Sequence, residues 1–423
     1  MIFRAKRTIA ALAVLGTVGA SAACASSSSP SAAAAGAGGQ SGTQTITLGL
    51  ETALTGPLAS SFGTGTVQAA QARIDLANAT NEIPGVKLKL VTEDENNSPQ
   101  GALQAVESLT QSKGAFAVLA AGPYFFGAYR YTVQQGIPAF GIGIDGPEWA
   151  NPKNTNLFSY EGSTNPSYPS YTGMPQYLKS KGVTRFCGLA YGGAAASLDT
   201  AKAMIASVQK AGIDVAYQNL NVPLGGTDFG ADALAIKNAH CDALATWFVV
   251  SSDIALFQAL GAVGITGSSF KASYITGVYG QELLNDAAAR QAAQGYGIGS
   301  VFEPASLDTA ATKTMMGALK KYANYSQPYP LSSMQWGWFT ADLAIYALKN
   351  AGTDLTRTNV IAKLRQVTNY DAGGIQCPVN FTESDWAVTQ FSANCAWVAT
   401  VQGDNFVSSP QPIKMAIIPG TSN

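Results

Sequence analysis

Gly49-Leu50-Glu51-Thr52-Ala53-Leu54-Thr55-Gly56-Pro57-Leu58-Ala59-Ser60-Ser61-Phe62-Gly63-Thr64-Gly65 is the stretch whose reading decides the fold. An alternating run, Thr45-Ile46-Thr47-Leu48, leads into it, and Val67-Gln68-Ala69-Ala70-Gln71-Ala72-Arg73-Ile74 leads out with helical character. Strand, polar loop, helix is the grammar of an α/β unit. There the loop at the strand's carboxyl end and the free N–H groups of the next helix form a ligand surface. The loop is therefore expected to be one jaw of a small-molecule site.

The same grammar repeats downstream. Residues 87–92 alternate as a strand and end in the acidic turn Glu93-Asp94-Glu95-Asn96-Asn97-Ser98-Pro99. Consecutive carboxylates on a turn point in different directions, so this reads as a solvated turn rather than a metal cluster. A helix is expected over 100–112, with Leu103, Val106 and Leu109 on one stripe. A buried-type strand over 115–120, a helix to 135 and a strand over 139–142 follow. Four strand–helix repeats predict a parallel sheet covered on both faces.

A Pro-, Asn- and Ser-rich passage over 151–171 interrupts the pattern, which restarts at 181 and alternates to 276 as a structural duplicate of the first unit. Helical periodicity from 309 to 364 is expected to cover the first lobe. The alternation after Cys377 reads as edge strands of the second. The fold class is thus α/β: two doubly wound, Rossmann-like lobes joined by a multi-strand hinge, with a ligand cleft between them. The expected division is 45–160 plus 302–370 for lobe 1 and 161–301 plus 371–423 for lobe 2, with interlobe crossings near Tyr160 and Val301.

Upstream, Arg4, Lys6 and Arg7, an apolar run over 9–18 and small residues before Cys24 read as a secretory signal over residues 1–23. Small residues ahead of a cysteine resemble the lipobox of bacterial lipoproteins, with Ser21 where Leu is usual, so Cys24 is expected to be acylated. Residues 25–44 are Ser, Ala and Gly with few interruptions and cannot bury enough apolar area to order themselves. As a flexible tether they would span roughly 25 Å.

Composition removes several functions. The 423 residues carry 25 basic and 26 acidic side chains. Without the leader's three cations the balance is 22 against 26, or −4, which is no footprint for nucleic acid. The sequence has one histidine, His240, no Gly-x-Ser-x-Gly and no Gly-Lys pair, so zincin, nucleophile-elbow and Walker motifs are absent. His240 reads as a solvated helix-to-strand turn. Four cysteines remain beyond Cys24, and in an exported chain an even count favours disulfides over metal. Four allow three connectivities. Cys187 with Cys241 is favoured because both stand at strand starts, which leaves Cys377 with Cys395, each loop worth about 3–4 kcal/mol.

Thr55-Gly56-Pro57, Phe62-Gly63, the Asn96-Asn97-Ser98-Pro99-Gln100-Gly101-Ala102 turn and Ile137-Pro138-Ala139-Phe140-Gly141 occur in an order and spacing that resemble the type I periplasmic binding proteins. The likeness is to the Leu/Ile/Val-binding branch that feeds ABC importers. It implies a ligand held between closing lobes. It places first-lobe contacts at Phe62, at Gly122 and Tyr124, and at Gly143 and Asp145. Second-lobe contacts fall at Ala196, Ser197, Ser251 and Tyr279, with Trp336 at the lip.

Departures from the family pattern bear on the ligand. Pro123 lacks the N–H that would hold a carboxylate, Asp145 would repel one, and Tyr279 stands where an acid pairs with the ammonium. Phe62, Tyr124, Phe125 and Tyr279 suggest an apolar or aromatic ligand instead of a branched-chain amino acid. Phe125 and Phe126 read more readily as helix-face core than as ligand contacts, and of Trp336 and Trp338 one is expected to be core.

The expected protein is a monomeric, lipid-anchored, extracytoplasmic solute-binding protein serving an ABC permease, with no cofactor and no catalytic residue. A receptor ectodomain of the same fold, or an exported amidase-like enzyme, is the alternative.

Overall fold

Nine residues from Gln44 to Thr52 form β1, and its inward Ile46, Leu48 and Leu50 are buried. The computed structural model describes residues 43–143, 145–160, 173–382 and 395–414. The expected leader, Cys24, the tether and the residues just after Tyr160 lie outside them. Around β1 pair β2 (Val86–Asp94), β3 (Ala117–Ala120), β4 (Ala139–Gly141) and β5 (Leu157–Ser159), all parallel and in the order β2-β1-β3-β4-β5. Between the strands run α1 (Ala59–Phe62), α2 (Thr64–Thr80), α3 (Pro99–Glu107) and α4 (Tyr129–Gln134). The Ser98 hydroxyl accepts from the Gly101 N–H and Pro99 sits in the first turn, which fixes where α3 begins. The helix expected over 100–112 does not stay regular: Ser108–Ser112 is a π-turn.

The second sheet repeats the plan. α5 (Gly173–Ser180) precedes β6 (Arg185–Tyr191), β7 (Asp214–Val222), β8 (Ala243–Trp247), β9 (Ala272–Thr276) and β10 (Gly297–Ser300). These stand in the order β7-β6-β8-β9-β10, the same as in the first sheet. Helices α6 (Ala195–Lys210), α7 (Gly230–Asn238), α8 (Val250–Ala262), α9 (Gln281–Asn285) and α10 (Ala287–Ala292) connect them. In each sheet the order reverses beside its first strand. The crevice outside such a switch point is where open α/β sheets take ligands.

The chain then returns to the first sheet. α11 (Ala310–Tyr322) and α12 (Ser332–Ala351) pack on α2, and α13 (Arg357–Leu364) packs on α12. Arg357 donates to the carbonyls of Ala115 and Phe116, and Arg365 to those of Asn154, Thr155 and Leu157. β11 (Cys395–Gln402) adds antiparallel to β10, and β12 (Asn405–Ser408) and β13 (Ile413–Lys414) pair with β11. The two long helices meet closely: a Cβ on Gly337 of α12 would stand 1.9 Å from the Thr66 carbonyl oxygen of α2. Beside this crossing Arg73 bonds Asp342 at 2.7 Å and both oxygens of Glu82 at 2.9 Å.

Cys187 on β6 bonds to Cys241, just ahead of the neighbouring β8, and Cys377 bonds to Cys395. His240 adopts a left-handed conformation in the turn after α7. No helix of the described residues is long and apolar enough to cross a membrane, and no metal-competent group of His, Cys, Asp and Glu occurs among them.

Candidate ligand-binding site

The loops at both switch points converge on a cavity of about 360 Å³. From the first sheet come Leu58, Ser61 and Phe62 after β1, and Pro123, Tyr124 and Phe126 after β3. The second sheet contributes Gly193 to Ser197 after β6, Trp247 to Val249 after β8, and Thr276, Gly277 and Tyr279 after β9. Ser300 to Phe302 and the α12 residues Ser332, Gln335 and Trp336 add to the wall. Among the described residues none of the lining side chains is charged.

The first jaw is clamped by the two turns singled out in the sequence. Asp94 accepts from the Leu54 N–H and the Thr55 hydroxyl, while the Asn97 side chain donates to the Thr55 carbonyl at 2.6 Å and accepts from the Leu58 N–H. The Thr52 hydroxyl donates to the Phe62 carbonyl. Phe62, thus fixed, stacks on Trp336 with centroids 6.1 Å apart and planes 16° from parallel.

Most hydroxyls in the second jaw hold the frame. Ser197 accepts from the Tyr191 N–H at 2.8 Å and donates to the Trp247 carbonyl at 2.6 Å. The Tyr191 hydroxyl donates to Ser252 and accepts from the Val249 N–H. Gln335 donates to the Tyr279 carbonyl, and the Tyr279 hydroxyl meets Ser306. Burial pushes that phenol up to about 12. Two kinds of polar group are left over. The Ser61 hydroxyl is buried without a partner, and the first N–H groups of α6 have no side-chain cap.

Of the residues expected from the sequence, Phe62, Tyr124, Ala196, Ser197, Tyr279 and Trp336 come together around the cavity. Gly122, Gly143, Asp145 and Ser251 do not line it. The Asp145 carboxylate accepts from the Phe126 N–H and the Trp149 indole, each at 2.6 Å, and so fixes the Tyr124–Phe126 loop from behind. Ser251 is exposed, and its neighbour Ser252 is the residue turned inward to Tyr191. Phe125 is core, 5.0 Å from Trp149, whereas Phe126 faces the cavity. Trp338 is core under the Arg73 guanidinium.

The acidic turn is only partly solvated. Glu93 pairs with Ser108 and Lys113 and Asp94 caps the jaw, but Glu95 is fully buried against Glu51. Gly122 lies directly over both acids: a Cβ there would stand 2.3 Å from a Glu95 oxygen and 3.0 Å from one of Glu51. Burial, then the neighbouring Glu95 and Asp145 charges, raises the Glu51 carboxyl well above its ordinary value. Burial raises Glu95 to about 7. Glu95 also accepts the Tyr124 N–H, which ties the acid pair to the cavity wall.

A family model described as periplasmic binding protein matches residues 45–405. No curated protein matches the chain in sequence. Among solved structures, a branched-chain amino acid ABC transporter protein from Thermus thermophilus with bound valine superposes with a TM-score of 0.72 at 16% identity, over 88% of this chain and 97% of that one. A fatty acid ABC transporter substrate-binding protein from Thermomonospora curvata gives 0.71 at 19% identity, over 88% and 92%. A solute-binding protein from R. palustris in complex with benzoate gives 0.69 at 14% identity, over 89% and 98%. At these identities the likeness is one of fold.

Proposed function

This chain belongs to the periplasmic binding protein family, and from that premise we propose that it is an extracytoplasmic solute-binding protein that captures a small organic molecule by lobe closure and passes it to an ABC permease. The observation that carries the reading is the cavity itself, walled by the loops at both sheets' switch points and, among the described residues, free of charged side chains. Lobe 1 is 45–160 plus 302–370 and lobe 2 is 161–301 plus 371–423. The packing of α12 on α2 and the pairing of β11 with β10 support this division.

Phe62, Tyr124, Ala196, Ser197, Tyr279 and Trp336 contact the ligand, which is uncharged or weakly charged and largely apolar. Amino-acid ligands need partners for both an ammonium and a carboxylate, and the described residues of the wall offer no ionised side chain to either. Gly122 and Asp145 act from behind the wall. The protein works as a monomer, exported by residues 1–23, acylated at Cys24 and leashed through residues 25–44.

Thermal-shift screening of residues 43–423 against amino acids, aromatic acids, amides and linear aliphatic compounds tests the binding reading. A ligand at 100 times its Kd adds about 2.7 kcal/mol of stability. If no compound shifts the protein while hydrolase substrates turn over, solute binding is the wrong function. Replacing Cys24 by Ser should release the protein from the membrane fraction; retention of the variant would remove the anchor.

A further inference from the structure

The cavity runs well beyond the jaws. Ala196, Thr200 and Met204 all line it, and positions four apart stack on one helix face. It therefore follows α6 inward for two turns, roughly 12 Å at 1.5 Å per residue. The opposite wall is one face of the second sheet, made by Trp247 on β8, Tyr274 on β9, Gly299 on β10 and Ala396 on β11. Gly299 brings no side chain to that face, and a Cβ there would meet the Tyr274 ring at 2.5 Å. Met174 of α5 also lines the cavity. Met174, Tyr274 and Ala396 are each less than a tenth exposed. Interiors leave few voids larger than a water molecule, so a channel of this length between a helix and its sheet has the form of a site. Two methionines in its lining, Met174 and Met204, give that site an adaptable surface.

The outer end differs in chemistry. Ala195, Ala196 and Ser197, the first turn of a sixteen-residue helix, line the cavity, and that helix start has no side-chain cap. From the other jaw comes the Ser61 hydroxyl, 5% exposed and unpartnered. Free N–H groups at a helix start favour an acceptor oxygen, charged or neutral.

We propose that the ligand is a linear amphiphile whose unbranched apolar tail lies between α6 and the β9–β10–β11 face, with an acceptor oxygen at its head held by the first turn of α6 and Ser61. This rests on the cavity being the solute site. A compact ligand held at the jaws would leave the inner channel empty.

The test is calorimetric titration of the mature chain with n-alkanoic acids from butanoate to hexadecanoate, the matching methyl ketones, n-alkylamines, and benzoate as the compact control. Kd should fall about fourfold per methylene, the equivalent of ~0.8 kcal/mol each, and then level off. Acids ahead of ketones would assign a charged head, and ketones ahead of acids a neutral one. Alkylamines, whose heads only donate, should bind weakest, and amines as tight as acids would overturn the head placement. Met204→Trp should move the plateau to shorter chains, its loss of affinity growing with chain length, and Met204→Ala should move it to longer ones. An equal loss at all lengths in a variant that still melts cooperatively would overturn the tail placement. If benzoate or another compound of the thermal-shift screen binds and chain length has no effect, the tail proposal fails while solute binding stands; if no compound of either experiment binds, both fall.

Discussion

Glu95 shows how a single residue can be legible as a carboxylate and illegible in its role. The sequence places it in an acidic turn, where solvent is the ordinary environment. It is buried because Gly122, 27 positions downstream, lacks the side chain that would fill the space its carboxyl occupies. No local pattern reports such a contact. Among the described residues no Lys or Arg pairs with Glu51, Glu95, Asp145 or Glu148, and the last is raised to about 9, chiefly by burial and then by Asp145. The folded protein thus holds protons that the unfolded chain releases above the ordinary glutamate value of 4.5. Stability is fully present below that pH and falls as pH rises through 7 toward 9, by about 1.4 kcal/mol per pH unit for each proton. Melting temperatures measured from pH 5 to 9 should decline, and Glu95→Gln should flatten the part below pH 7; a rise with pH would mean the acids are ionised in the fold. Tyr124 and Phe125 make a second contrast. Tyr124→Ala should weaken ligand binding about tenfold or more, with a small change in apo melting. Phe125→Ala should cost about 3–5 kcal/mol, because its ring is wholly buried against Trp149. Equal losses of stability would make Tyr124 core. The sequence left adjacent aromatics unresolved and pointed to Ser251 where Ser252 is the residue turned inward, because a one-residue offset at a helix start decides which side faces the cleft.

At the scale of elements the sequence was far more informative. Alternating apolar strands and 3.6-period helices are set by burial on one or two faces, which is a local property, and the strands at 87–92, 115–120 and 139–142 all appear within a few residues of their expected bounds. What periodicity does not contain is which helix crosses which. The α2–α12 crossing depends on Gly337, an unremarkable residue inside a helical pattern between two tryptophans. Its Cβ would collide with the Thr66 backbone, not with a flexible side-chain end. Gly337→Ala is therefore expected to lose about 1–3 kcal/mol, although alanine is the better helix former. Beside it Arg73→Ala should cost roughly 3–5 kcal/mol, since Asp342 and the Tyr370 hydroxyl bonded to it would keep a buried, uncompensated charge. Replacing Arg73 by Met and Asp342 by Leu together should recover most of that loss. Urea titrations separate these cases. A stabilised Gly337→Ala protein would mean the helices slide apart at little cost.

For the whole molecule, the duplicated strand order explains why a cavity can be shared: each sheet turns its switch point toward the other. The jaws also touch outside the cavity. α1 packs against α8, and a Cβ on Gly225, in the loop after β7, would stand 3.7 Å from the Cβ of Pro57. Disulfides join Cβ atoms about 3.5–4.5 Å apart, so Pro57→Cys with Gly225→Cys should oxidise to a bond that holds the first jaw against the second. Gly225 has φ of +69°, and a cysteine there carries roughly 1–2 kcal/mol of strain, less than a typical disulfide contributes. If the ligand enters only when the lobes part, the oxidised double variant should exchange the strongest binder of the thermal-shift screen far more slowly than the unmodified protein. Reductant mild enough to spare the buried Cys187–Cys241 bond should restore exchange. The single variants, unable to form the bond, separate the effect of the lock from that of the substitutions. Free exchange through a verified cross-link would mean that entry needs no lobe motion and that the opening loop is a fixed wall of the site instead of a moving jaw.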